Sequence, residues 1–240
     1  DAFKKNYEAQ PETSSAGRRL ATEAYLEKAR TAASPNDSLV AIDQAIALYS
    51  DATGRENLDA LERLKVTRAQ MLAQFDRGAE AIRALQQIIG RNPENLEATV
   101  TLASLYADRE EWSALEGLIE PIARNPLLLD VALYLEGRVA LSRDRVGTAR
   151  IKFEGALEFN AERPTSLKPA LHFYRSICFE KLERHEDAEA SLRTALDRGY
   201  IPETAAEAVH LGKLLLRSGE AAEVIPTLER ALLNNPDSAE

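Results

Sequence analysis

The strongest constraint on the fold is a pattern of four positions that recurs six times along the 240 residues. Each copy has a small residue, an apolar residue twelve positions later, a second apolar residue four positions further on, and a third after three more. Two of the clearest copies are Gly137, Ala149, Phe153 and Ala156, and Ala69, Ala81, Leu85 and Ile88. The six small residues are Ala29, Ala69, Ala103, Gly137, Ser176 and Gly212. The pattern therefore has a period near 34 residues with two insertions.

Apolar residues three and four positions apart form a stripe on one face of an α-helix. A small residue on the preceding helix lets the two helices approach closely, and a proline such as Pro93 ends the second helix. Such a helix pair cannot bury its stripes alone and needs neighbours. The sequence therefore predicts an all-α, right-handed α-solenoid of about six helix-turn-helix repeats over residues 16–240. The predicted repeats are 22–55, 62–95, 96–129, 130–163, 169–202 and 205–238.

Three segments depart from the repeat. Residues 1–15 are predicted to be a tail or the remnant of a preceding helix. The insertions, Arg55 to Ala60 and Asn160 to Lys168, are predicted to be surface loops, with a lip over a binding face as the alternative.

Composition agrees with a helical fold and excludes some functions. Hydrophobic residues make up 45% of the chain but aromatic residues only 6%, and most of the apolar share is Ala and Leu, which favour helices. The formal net charge is -9, whereas a general nucleic-acid binder needs clustered Lys and Arg. We therefore expect no nucleic-acid partner. No apolar run is long enough to span a bilayer, so we expect no membrane insertion by this segment.

The residues of the repeat resemble the tetratricopeptide-repeat family over roughly Ala16 to Asp237. The resemblance rests on a small residue followed three positions later by an aromatic one, on a Leu-Gly pair and on the Asn-Pro that ends the last copy. These are found at Ala103 with Tyr106, Ser176 with Phe179, Leu211 with Gly212, and Asn235 with Pro236. The family's aromatic residue near the start of the first helix is missing in most copies, for example where Lys65 and Ala208 stand, although Tyr25 fits it. Pentatricopeptide and HEAT-type arrays fit less well, because of the acidic balance and the short period.

No catalytic or cofactor motif accompanies the repeat. There is no glycine-rich phosphate loop or nucleophile elbow. The sequence from His185 begins like a metalloprotease helix, but Glu189 stands where the second histidine is needed. The single cysteine, Cys178, has no assigned base and is expected to be a structural thiol. We therefore predict a protein that is not an enzyme and has no metal or cofactor.

The resemblance implies a binding surface formed by the first helix of each repeat, which lines the concave face in this family. The exposed row is expected three residues before and one residue after each small residue. The predicted partner-binding groove is Val66, Gln70, Val100, Ser104, Tyr134, Arg138, Phe173, Ile177, Val209 and Lys213; Leu26 and Arg30 are the corresponding pair of the first copy. An apolar row with three cations predicts a partner segment that is apolar with acidic flanks. The alternative is that these side chains pack against adjacent helices.

We therefore predict a protein- or peptide-binding adaptor or scaffold. The alternatives are a structural spacer or self-assembling scaffold, and a helical domain attached to an enzyme elsewhere in a longer chain. The last residues, Asn234 to Glu240, resemble the link into a further repeat, so we expect a fragment of a larger protein. An Arg-rich, Ala-rich composition fits a GC-rich bacterial genome, and we expect the parent to be a bacterial assembly or envelope protein, in the cytoplasm or periplasm.

Overall fold

The computed structural model describes residues 15–51, 53–161, 167–202 and 204–217, together with positions 219, 225, 226 and 229. Within these residues there are eleven α-helices and one short 3-10 turn, and no strand, so the predicted all-α class is confirmed. In chain order the helices are α1 (Ser15–Arg30), α2 (Pro35–Ala47), α3 (Arg55–Gln74), α4 (Gly78–Arg91), α5 (Leu96–Asp108), α6 (Trp112–Ala123), α7 (Leu129–Ser142), α8 (Val146–Phe159), α9 (Lys168–Lys181), α10 (His185–Asp197) and α11 (Ala205–Arg217). The 3-10 turn is Pro126–Leu128.

The chain forms two compact units, residues 1–102 and 103–240. In the first unit α1 packs on α2, α2 on α3, and α3 on α4. The start of α2 shows why these helices form where they do. Pro35 occupies the first turn, and the Ser34 side chain caps the helix by accepting a hydrogen bond from the Asp37 backbone N–H. The small residues Ala29 and Ala69 are buried against their partner helices.

In the second unit α6 packs on α7, α7 on α8, α8 on α9, and α9 on α10. Gly137 on α7 shows why the repeat needs a small residue. A Cβ built on it would lie 2.4 Å from Phe153 Cε1, and Phe153 is fully buried on α8. The absence of a side chain at Gly137 therefore sets the distance between these two helices.

The turns within the repeats share one backbone conformation. Asp76, Glu110, Asp144, Glu183 and Gly219 all have a positive φ, between 55° and 79°. Each lies seven residues after the small residue of its copy. At the first four, the next residue donates its N–H to a carbonyl five positions earlier, as in Arg145 to Ala140 at 2.9 Å. This is the Schellman ending of a helix, in which a left-handed residue lets the chain reverse.

The structure corrects one prediction about the insertions. Arg55 to Ala60 is not a loop but the beginning of α3, which has 20 residues. Most of the second insertion, residues 162–166, lies outside the described residues, as do residues 1–14. The same is true of Val224, Leu228, Ala231 and Pro236, which complete the sixth copy of the pattern.

Candidate functional site

The second unit contains a cavity of about 850 Å³ that is lined mainly by the first helices of three repeats. Helix α7 contributes Arg138, α9 contributes Tyr174 and Ile177, and α11 contributes Val209 and Lys213. The end of α5, the turn after it and the first residue of α6 contribute Asp108, Glu110 and Trp112. A space of this size lies in the range of ligand pockets in proteins, about 300–1,000 Å³.

Arg138 is the central polar residue of this cavity. Its side chain is only 8% exposed, and its Nη1 donates a hydrogen bond of 3.0 Å to Asp108 Oδ1. Its Nη2 donates to the Ala107 carbonyl at 3.1 Å, while Nε has no hydrogen-bond partner among the described residues. The guanidinium carbon lies 5.1 Å from the Tyr174 ring centroid and 5.8 Å from that of Trp112. The cation is thus held by one carboxylate and by aromatic faces.

Burial alone would lower the pKa of Arg138, but nearby Tyr134, Tyr174, Asp108 and Glu207 together raise it above the ordinary value. Burial also raises the pKa of Asp108, against the opposing effect of Arg138. Arg138 therefore remains charged at any pH at which the protein is folded. Its charge interacts mainly with Asp108 and the surrounding aromatic rings, and not with solvent.

Aromatic rings support the floor of the cavity. Tyr174 lies 5.6 Å from both Tyr134 and Phe153, measured between ring centroids. Phe173 stacks on Tyr200 at 4.3 Å with an interplanar angle of 17°. Because these rings come from α7, α8, α9 and the segment after α10, they fix the first helices that form the walls.

Tyr174 also connects α9 to α11. Its hydroxyl donates a short hydrogen bond to Glu207 Oε1, and both residues are buried. Burial raises the pKa of Tyr174 well above its usual value, so the phenol keeps its proton. This bond holds the α11 wall against the rest of the cavity.

A basic wall lies at the α11 end. It consists of Lys181, His210 and Lys213, which line the cavity just described and also a neighbouring one of about 370 Å³. Burial, followed by the charges of Lys213 and Lys181, lowers the pKa of His210. His210 is therefore neutral at pH 7, with two ammonium groups nearby.

The structure assembles some of the predicted groove residues and buries others. Arg138, Ile177, Val209 and Lys213 line the cavity, and Tyr134 contacts Arg138 and Tyr174 beneath it. The expected exposure is wrong for Val66 and Phe173, which are fully buried, and for Ile177 and Arg138, which are 5% and 7% exposed. The reason is that neighbouring helices cover these two positions of the first helix in those copies.

Among the other predicted residues, Gln70 and Ser104 are exposed and Val100 is half-buried. Gln70 Nε2 lies 3.4 Å from Thr101 Oγ1 within the first unit. Leu26 is half-buried and Arg30 is exposed on α1. The cavity lies in the second unit and includes none of these five predicted residues.

Several residues of the cavity were not singled out as binding residues from the sequence. Trp112 and His210 are two of them, and both line the cavity. Asp108, Tyr174 and Glu207 had no assigned role. The only sequence signal is that Tyr174 follows the predicted row residue Phe173 and that Asp108 lies 30 positions before Arg138, close to one repeat period.

Features relevant to chemistry are few in the described residues. No group of three His, Cys, Asp or Glu side chains is placed to hold a metal ion. Cys178 is fully buried, and burial raises the pKa of its thiol to about 12, which suppresses the reactive thiolate. Within the same part of the chain, no helix combines the length and apolar character needed to cross a bilayer.

No protein-family model and no curated protein matches the sequence, but solved structures resemble the fold. A tetratricopeptide repeat protein from Parabacteroides merdae has a TM-score of 0.63 at 16% identity, over 98% of this chain and 82% of the other. PilF of Pseudomonas aeruginosa has a TM-score of 0.59 at 12% identity, over 90% and 92%. A double mutant of MamA has a TM-score of 0.55 at 11% identity, over 75% and 93%. The chain therefore has the all-α fold of tetratricopeptide-repeat proteins.

Proposed function

We propose that this chain is a non-enzymatic protein-interaction module, and that the cavity of the second unit binds a segment of a partner protein. The observation that carries the proposal is the combination of size and lining in that cavity. It measures about 850 Å³ and presents Trp112, Tyr174 and Arg138, residue types that are enriched at binding hot spots. The tetratricopeptide-repeat fold of the similar structures supports the same class of function at the level of the fold.

The proposed partner segment is apolar with acidic flanks. Val209 is 54% exposed at the edge of the cavity and offers an apolar contact. Lys213 is exposed beside it and forms no ion pair with the described residues. Arg138 does not provide the cation for the acidic flank, because its charge is directed to Asp108. Lys213 takes that role in the proposal.

The proposal is tested by capture experiments with rim variants, since buried residues such as Phe173 would disturb the fold when replaced. The test variant is Val209→Asp with Lys213→Glu. The matched control is Ile151→Asp on α8, because Ile151 is 60% exposed and does not line the cavity. Wild-type and control proteins are expected to capture the same partner from a bacterial lysate, and the rim variant is expected to lose it. Equal capture by all three proteins would place binding elsewhere.

Light scattering over a hundredfold range of protein concentration tests the alternative of a self-assembling scaffold. The adaptor function predicts a constant monomer mass. A mass that rises with concentration, together with no captured partner, would favour the scaffold over the adaptor.

A further inference from the structure

The two cavities of the second unit meet at the basic wall, which consists of Lys181, His210 and Lys213. All three residues line both the larger cavity and the cavity of about 370 Å³. Ile177 lines both cavities as well, so an apolar floor continues from one to the other. A peptide segment that fills either cavity therefore passes these three nitrogen-containing side chains.

The charges at this wall are open to a ligand. Lys213 is exposed and has no ion pair with the described residues. Lys181 pairs with Asp144 at 2.8 Å, but Asp144 is 79% exposed, and surface pairs of this kind are weak and easily exchanged. The neighbouring carboxylate Glu180 is engaged by Arg217 and His185. An incoming anion therefore meets two ammonium groups that are not strongly neutralised.

The balance of charge in the larger cavity also favours an anion. Its lining has four cationic residues and three acidic ones, in a chain with a formal net charge of -9. The cationic residues are Arg109, Arg138, Lys181 and Lys213, and the acidic ones are Asp108, Glu110 and Glu207. Asp108 is bonded to Arg138 and Glu207 to Tyr174. Arg109 pairs with Glu111 at 2.9 Å, so the positive charge of the lining that is not used in such contacts is concentrated at the α11 end.

His210 makes this end sensitive to protons. The groups that face it are Lys181 and Glu180 from α9, and Glu207, Lys213 and Arg217 from α11. Burial first, and then the two lysines, hold the pKa of His210 below its ordinary value. A carboxylate placed between the lysines reverses their effect and favours the charged imidazolium. Binding of an anion then takes up a proton, so affinity rises as the pH falls.

We infer that Lys181, His210 and Lys213 form an anion subsite for an acidic side chain of the partner segment, and that protonation of His210 strengthens binding there. This inference rests on the proposed function. The apolar surfaces of Ile177 and Val209 beside the subsite require apolar residues next to the acidic one. The occupant is therefore an acidic peptide segment with apolar neighbours.

A peptide display selection tests the subsite. A library of random twelve-residue peptides is selected against the wild-type chain, against Lys181→Gln with Lys213→Gln, and against a control with Arg124→Gln and Arg193→Gln. The control loses the same charge from residues that are 74% and 59% exposed and line neither cavity. Circular dichroism confirms that all three proteins are folded.

Wild type and control are expected to enrich peptides with Asp or Glu beside apolar residues, and the lysine variant to enrich apolar peptides without the acidic preference. An acidic preference that persists in the lysine variant, or apolar peptides without that preference in wild type, overturns the subsite but leaves the proposed function intact. Failure of the wild type to enrich any peptide argues against the proposed function itself.

The proton dependence is measured with an enriched peptide that contains no histidine. Trp112 is the only tryptophan of the chain and lines the larger cavity, so its fluorescence reports binding. Wild type is expected to bind about 3- to 10-fold more tightly at pH 5.5 than at pH 7.5, and His210→Gln to bind with little pH dependence. The same pH dependence in both proteins would overturn the role of His210.

Discussion

Replacing Gly137 by alanine places a methyl group where the Phe153 ring lies. A Cβ at this position would be 2.4 Å, 2.7 Å and 2.8 Å from three ring atoms of Phe153, far inside van der Waals contact. The ring has little freedom to move away. It is fully buried, and it stacks on Tyr174 with a centroid distance of 5.6 Å and an interplanar angle of 26°. Helices α7 and α8 must therefore separate, or the aromatic cluster must repack.

Two opposing effects determine the change in the free energy of unfolding. Alanine is favoured over glycine inside a helix by about 0.5–1 kcal/mol. Overpacking of a well-packed core costs about 1–3 kcal/mol. We therefore expect Gly137→Ala to be destabilising by about 1–2 kcal/mol, which corresponds to a fall in Tm of about 2–8 °C for a chain of this size.

Urea denaturation followed by circular dichroism measures this change, with Gly117→Ala on α6 as the matched control. Among the described residues, no neighbouring atom lies within 4 Å of the position that a Cβ at Gly117 would take. The control should therefore gain about 0.5–1 kcal/mol from helix propensity. If Gly137→Ala is as stable as the control, the close approach at Phe153 is not what requires glycine. The two changes are coupled because the added methyl group meets the Phe153 ring. The loss of unfolding free energy in the double variant Gly137→Ala, Phe153→Leu should therefore be smaller than the sum of the losses in the two single variants.

Three further predictions concern buried or half-buried groups. Because Cys178 is fully buried and burial raises its pKa to about 12, a thiol reagent at pH 8 should label it at least about 100-fold more slowly in the folded chain than in urea; equal rates would contradict this. Asn160 donates a buried hydrogen bond of 2.9 Å to Asp130, so Asn160→Ala should lower the free energy of unfolding by about 1–3 kcal/mol in urea denaturation. Asn92 donates the corresponding hydrogen bond to Glu62 at a part-buried site, so Asn92→Ala should lower it by less. Burial and three nearby cations lower the pKa of His172 to about 4 from the ordinary 6.5. The folded chain therefore favours the neutral imidazole, and the free energy of unfolding should be highest above about pH 6.5 and should decrease as the pH falls toward 4. Unfolding midpoints measured across this range should fall less for His172→Gln than for the wild type.

The helical fold was predictable because its determinants are local. The spacing that marks Gly137 and Phe153 is set by the 3.6-residue turn of a helix, and the structure buries all six small residues of the pattern. The error at Arg55 to Ala60 has an equally physical cause. An insertion in the repeat period was interpreted as a loop, but Arg, Glu, Leu and Ala favour helix. The extra residues therefore lengthen α3 at its beginning rather than interrupting the chain.

The exposure of the predicted groove residues could not be predicted from the spacing of residues along the sequence. Spacing places Val66, Phe173 and Val209 at one position of their helices, yet their exposed fractions are 0%, 0% and 54%. Exposure depends on how far the neighbouring helices extend over that position, which the pattern within a single repeat does not encode. Arg138 shows the same limit. Its burial follows from Asp108 and Tyr174, which belong to the preceding and following repeats.

The turns connect the regular part of the fold to the cavity. A left-handed residue other than glycine costs about 1–2 kcal/mol, yet four of the five left-handed turn residues at this repeat position are Asp or Glu, and only Gly219 is the residue that favours this conformation. A search for glycine would therefore miss the turn, although its offset of seven residues from the small residue identifies it. Glu110 is the turn residue that lines the cavity, and its carbonyl accepts a hydrogen bond of 2.9 Å from the Trp112 N–H. The same reversal that ends α5 thus positions the indole over Arg138, so the geometry that the repeat requires also builds one end of the candidate binding site.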